Sequence, residues 1–204
     1  MKGYTAIAVA VILIAASLPY VYQITRRHVV PTLSTWIILA VATSLNVASY
    51  LVATHVDVLS GVLGLTDALV SWLILIVTVR AARRKLTFQT FEKYYLTGAG
   101  CIVLFWIISR NAFLTNLLMQ ILITIGCSST IQSLLYAKEN HESFIFWGLG
   151  LIAVTLSLYP AAVDGNLLAV LYSLRSIVIV SVILSLMIRL PRNTKVKRRP
   201  ERLP

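Results

Sequence analysis

Seven apolar runs of about twenty residues each, separated by short polar turns, take up nearly the whole chain: 4–24, 31–53, 57–79, 94–112, 116–137, 143–162 and 166–189. Bilayer hydrocarbon is roughly 30 Å thick and a helix rises about 1.5 Å per residue, so about 20 apolar residues make one crossing. Lipid offers no partner to backbone N–H and C=O groups, and runs of this length meet that constraint as α-helices. The expected fold is an all-α membrane protein with seven transmembrane helices. Composition agrees: 58% of the 204 residues are hydrophobic and 12% charged, against roughly 25% charged in soluble domains. The polar stretches are too short for a separate catalytic or nucleic-acid-binding domain. Residues 1–191 are read as one transmembrane domain, and residues 192–204 as a basic, disordered cytosolic tail that anchors topology.

Charge sorts by end. With these spans, Arg26, Arg27, Arg80, Arg83, Arg84, Lys85, Lys93, Lys138, Arg189 and the tail fall on one side, and Lys2 and Arg110 on the other. Basic loops stay in the cytosol, which places the N-terminus outside and the C-terminus inside. The net charge of +11 therefore points to an anionic membrane leaflet as partner, and not to nucleic acid. Arg26 and Arg27 follow the first run and only Lys2 precedes it, the reverse of a signal peptide's bias, so the first run is read as a retained helix. Compact loops suit a prokaryotic plasma membrane. Cys101 and Cys127 fall within spans and have no CxxC neighbour, so they are read as packing thiols.

Two ionisable residues interrupt the apolar runs near mid-depth. Asp67 lies ten residues after Asp57 and thirteen before Arg80; Arg175 lies eleven after Asp164 and fourteen before Arg189. Their near-equal depth makes them candidates for a pair across a polar cavity, because a charge in hydrocarbon costs roughly 2.5–3.5 kcal/mol even on lenient scales. Asp67 can act as a proton-exchanging binding group as water reaches it from either side, or as a structural partner for Arg175. Arg175 keeps its proton, and can hold a solute carboxylate or simply neutralise Asp67. Asn46, with Thr43 and Ser44, forms a polar cluster in the second run, and Asn116 with Gln120 another in the fifth; both can line a cavity or bridge helices. Tyr172, Trp72 and Tyr159 can wall a pocket, whereas Trp36 and Trp147, near the cytosolic ends, suit an interfacial belt. Arg110 is expected to snorkel at the outer surface.

Enzyme signatures are missing. The chain has no HExxH or GxSxG motif, and His28, His55 and His141 fall in different loops, so no catalytic role, metal or cofactor is expected. A retinal protein is excluded because the seventh run has no lysine.

The order of punctuation suggests duplication. A shift of 111 residues lays Trp36 on Trp147, Thr32 on Ser143, Arg27 on Lys138 and Ser17 on Ser128. The segment LPYVYQITRRHVVPTLSTWIILAVATSLNVASYL resembles the PQ-loop repeat of SWEET, SemiSWEET and cystinosin-like transporters, and the Pro-x-x-Ser-Thr-Trp pattern of bacterial PQ-loop-like membrane proteins. Pro19, Arg26 with Arg27, Thr32 to Thr35, Trp36 and Asn46 stand in the family's order. Tyr20 departs from it where glutamine follows the proline, as does Thr130-Ile131 where Pro-Gln stands in a second repeat. The resemblance implies two parallel three-helix bundles joined by a fourth helix, a 3+1+3 arrangement with alternating access and Pro19 as a hinge. It also implies a central pocket drawn from the third and seventh helices, where Asp67 and Arg175 stand. Sugar carriers of the family present asparagines there, so a small polar or zwitterionic solute fits better, with protons as a candidate coupling ion. The alternative is a non-transporting scaffold or assembly protein in which the same charges only lock helices together.

Overall fold

A computed structural model describes residues 2–29, 31–52, 61–82, 90–109 and 111–191. Asp57, His55, Arg110, the Arg83–Lys85 cluster and the tail 192–204 lie outside the described residues. Within them are seven helices: α1 Lys2–Thr25, α2 Leu33–Val52, α3 Val62–Ala82, α4 Thr90–Ser109, α5 Ala112–Tyr136, α6 Phe144–Val163 and α7 Leu167–Arg189. Five of them (α1, α3, α5, α6 and α7) are long and apolar enough to cross a membrane. The apolar stretches of α2 and α4 are shorter, Leu33–Ala48 and Gly100–Ser109.

Helix starts follow capping rather than hydropathy. Asn111, Ser143 and Asn166 each accept a hydrogen bond from the backbone N–H three residues on, at Leu114, Phe146 and Ala169. Each thereby satisfies one of the orphan donors of a first turn. This moves the start of α5 to Ala112, four residues before the apolar run expected from 116. The α6–α7 turn needs Gly165, whose φ of +60° would strain a side chain. Pro19 sits inside an unbroken α1.

In the first three helices α3 contacts both α1 and α2; in the last three α7 contacts both α5 and α6. Across the middle, α1 packs on α6 and α2 on α5, while α4 packs more lightly on α5 and α2. The α2–α5 seam is close and polar. Ser34 Oγ lies 3.1 Å from Ser129 Oγ, Thr35 Oγ1 lies 3.1 Å from Thr130 Oγ1, and Asn116 Nδ2 donates to Asn46 Oδ1 at 2.6 Å. Between them Gly126 lets the backbones approach: a Cβ there would stand 2.8 Å from Ile38 Cγ2, on a side chain that is itself fully buried. Small residues serve this purpose between membrane helices. Gly126→Ala is expected to destabilise the protein by about 1–3 kcal/mol through overpacking, read as a lower melting temperature in detergent.

The two ends are tied separately. At one rim Lys2 Nζ bridges to Asp164, 2.5 Å from Oδ2. At the other, the basic rim of Arg26, Arg27, Lys138 and Arg189, the Asn140 N–H donates to Pro191 O at 3.0 Å, pinning the α5–α6 loop to the end of α7.

Candidate functional site: two cavities meeting at Asp67 and Tyr172

Two cavities lie along the centre of the bundle. The one nearer the Lys2–Asp164 rim has about 410 Å³ of empty space, its open mouth included, and is lined by Asn46, Gly64, Asn116, Tyr172 and Ser173 among others. The one nearer the basic rim has about 640 Å³ on the same measure, with walls from α1, α2, α3, α5, α6 and α7. Asp67 and Arg175 both line this second cavity, together with Trp36, Cys127, Phe146 and Trp147. Leu63 lines both.

Between them stands Tyr172. Its phenol donates a short hydrogen bond to Asp67 Oδ2, and the Arg175 guanidinium lies over its ring, 4.5 Å from the centroid. Asp67 and Arg175 thus share a cavity, but the contact between α3 and α7 runs through the phenol and not through a direct ion pair. One turn of α7 separates Tyr172 from Arg175, which stacks ring and guanidinium on one face. Arg175 Nη2 donates to Ser176 Oγ at 3.0 Å, whereas its Nε and Nη1 are buried with no hydrogen-bond partner within the protein. A buried guanidinium with unmet donors is costly, and a planar fork of this kind matches a carboxylate two bonds at a time. The wall is otherwise largely apolar, so an occupant needs few polar groups placed well.

The other expected site residues are placed differently. Asn46 is buried and lines the first cavity, where its Oδ1 accepts from Asn116 Nδ2 and, at 3.4 Å, from Gln120 Nε2. It both borders a cavity and bridges helices. Trp72 lines neither cavity: it is 44% exposed, and its indole N–H donates to Ser44 Oγ at 2.8 Å, linking α3 to α2 near the bundle surface. Tyr159 also faces outward, at 45% exposure.

Trp36 and Trp147 are buried and not at an interfacial belt. Nearness to the end of a span says nothing about which helix face a residue occupies, and theirs face inward. Tyr20 stacks on Phe146 with centroids 4.4 Å apart and planes 15° from parallel; Trp36 and Trp147 meet the Phe146 edge at 5.8 and 5.4 Å. This aromatic cluster floors the second cavity toward the basic rim. Below it, Glu142 Oε2 accepts from Tyr20 Oη at 2.8 Å and from Trp147 Nε1 at 3.1 Å. Glu142 lies in the loop outside the spanning segments, and its burial pushes the carboxyl up to about 7.

Neither Glu142 nor the inward tryptophans emerged from the residue pattern. An acid among basic residues does not enter a count of topogenic charge, although an acid immediately before an aromatic run on a basic rim is a usable signal. Compared with protein families, curated proteins and solved structures, the chain matches none.

Proposed function

We propose that the chain is a small multi-pass membrane transporter that moves a small polar or zwitterionic solute by alternating access. The observation that carries this reading is a pair of central cavities, one toward each rim, meeting at the Asp67–Tyr172 contact. A solute carboxylate would meet the Arg175 fork, and an ammonium would meet Asp67, across a mostly apolar wall. Asp67 would exchange a proton as the two cavities open in turn. Orientation follows the basic rim, which makes the larger cavity the cytosolic one in a prokaryotic plasma membrane.

The helix contacts support the PQ-loop-like resemblance. The pattern of α1, α2 and α3 repeats in α5, α6 and α7, with α4 as linker, and the cross-contacts α1–α6 and α2–α5 exchange under that correspondence. Seven crossings in a 3+1+3 arrangement account for this pattern. Pro19, half-buried beside Tyr20 in α1, leaves Ala15 O without its helical donor and is the hinge of that helix. The scaffold alternative requires a dry core around a closed ion pair, and two cavities with unmet guanidinium donors weigh against it.

Single cysteines at Leu39, Ile123, Val154 and Ile179, which line the larger cavity, provide the test. A membrane-impermeant thiol reagent should modify them from the basic side, and saturating solute should slow that reaction. Cysteines that stay unreactive from both sides would refute the transporter reading.

A further inference from the structure

Glu142 is a carboxylate enclosed at 6% exposure, and no step described above uses it. It joins the two halves of the bundle at the basic rim: Tyr20 belongs to α1, while Trp147 and Glu142 itself belong to α6 and the loop before it. Of the two rings that contact it, Trp147 lines the larger cavity, and Tyr20 lies one layer behind, stacked on Phe146, which lines it as well. The loop is held in place from below, since the Glu142 N–H donates to Asn140 Oδ1 at 2.9 Å and Asn140 is tied to Pro191.

We propose that Glu142 is a second proton-binding site, and that the proton it carries latches the basic mouth of the larger cavity shut through Tyr20 and Trp147. This rests on the transporter reading, because it assigns the larger cavity a mouth that opens. The groups facing the carboxyl are the Tyr20 phenol from α1, the Trp147 indole from α6 and the Ser143 backbone amide. Next to it along the chain, the His141 Nε2 lies 3.0 Å from Ser133 Oγ on α5, and burial holds that imidazole below its ordinary range. Opening the mouth parts α1 from α6 and lets water reach Glu142.

Enclosed, the carboxyl titrates at about 7; hydrated, it returns to the ordinary carboxylate range near 4.5. The enclosed state therefore binds the proton more tightly, and acid favours it. The preference is complete below the ordinary carboxylate range and is lost as pH rises through about 7. Acidification of the basic side closes the mouth, and alkalinisation opens it.

Cys127 lines the same cavity and reports on the mouth, once the exposed Cys101 is replaced by serine. In inverted vesicles, with the basic rim outward, the rate of Cys127 modification by a membrane-impermeant thiol reagent is compared between this background and the same protein carrying Glu142→Gln. The ratio of the two rates cancels the intrinsic pH dependence of the thiol. Gln copies the protonated carboxyl and does not titrate, so the ratio should rise on the order of tenfold between pH 6 and pH 8.5. Tyr20→Phe keeps the ring but removes a donor that favours the charged form, so the rise should move to higher pH. A ratio flat across pH, or an unmoved midpoint in Tyr20→Phe, overturns the latch and leaves the cavity reading standing. Cys127 unreactive at every pH overturns both.

Discussion

Arg175→Gln is expected to abolish measurable solute binding while the protein still inserts and folds. Arg175 lines the larger cavity and its Nε and Nη1 are without a partner, so a carboxylate reaching either one, with the second Nη2 hydrogen beside it, would gain charge-assisted bonds in a water-poor setting. Removing one partner of such a buried pair costs about 2–5 kcal/mol, which is on the order of 30- to several-thousand-fold in affinity. Gln keeps a donor for Ser176 but loses the charge and the fork. Isothermal titration or competition for cysteine protection in the larger cavity reads the effect. Arg175→Lys restores charge without the planar fork and should recover only part of the affinity. Unchanged affinity in Arg175→Gln would remove this residue from the site.

Asp67→Asn carries the second large effect. The amide still offers an oxygen to the Tyr172 phenol, so the α3–α7 contact survives and the fold is expected to hold. What disappears is the carboxylate at the junction of the cavities. On the transporter reading, uptake should therefore lose its dependence on an imposed proton gradient, with rates in acidic and alkaline media converging to within about twofold, because an ionisable side chain within a span is the expected proton carrier. Reconstituted vesicles with and without a pH difference supply the measurement. Solute-driven exchange between equal compartments should persist at lower affinity, because it needs no net proton movement while the amide no longer pairs a solute ammonium. A variant that keeps gradient-driven uptake would place proton coupling elsewhere, and Glu142 would be the next residue to examine.

Helices were more legible in the sequence than the site was. Each of the seven apolar runs corresponds to a helix, because in lipid an apolar run of that length has few other ways to satisfy its backbone. The ends were less legible: α5 starts at Ala112 rather than 116, since hydropathy averages over side chains while this helix begins where Asn111 caps a donor. Equal depth in two runs was enough to bring Asp67 and Arg175 to one cavity. Depth carries no azimuth, however, so it did not reveal that Tyr172 intervenes, that Trp72 turns toward Ser44, or that Trp36 and Trp147 face the centre. Those depend on which face of each helix meets its neighbours, and seven runs that are apolar all round leave little amphipathic signal to mark it.

The α2–α5 seam has a consequence for the whole molecule. Hydroxyls and carboxamides bridge it, at Ser34 with Ser129, Thr35 with Thr130, and Asn46 with Asn116, and none of these groups changes charge between acid and base. The bridge that a proton can change at the basic rim, Tyr20 with Glu142, joins α1 to the loop before α6. A change of pH that acts on that carboxyl therefore leaves the α2–α5 contacts as they are, and the seam keeps its geometry in acid and in base.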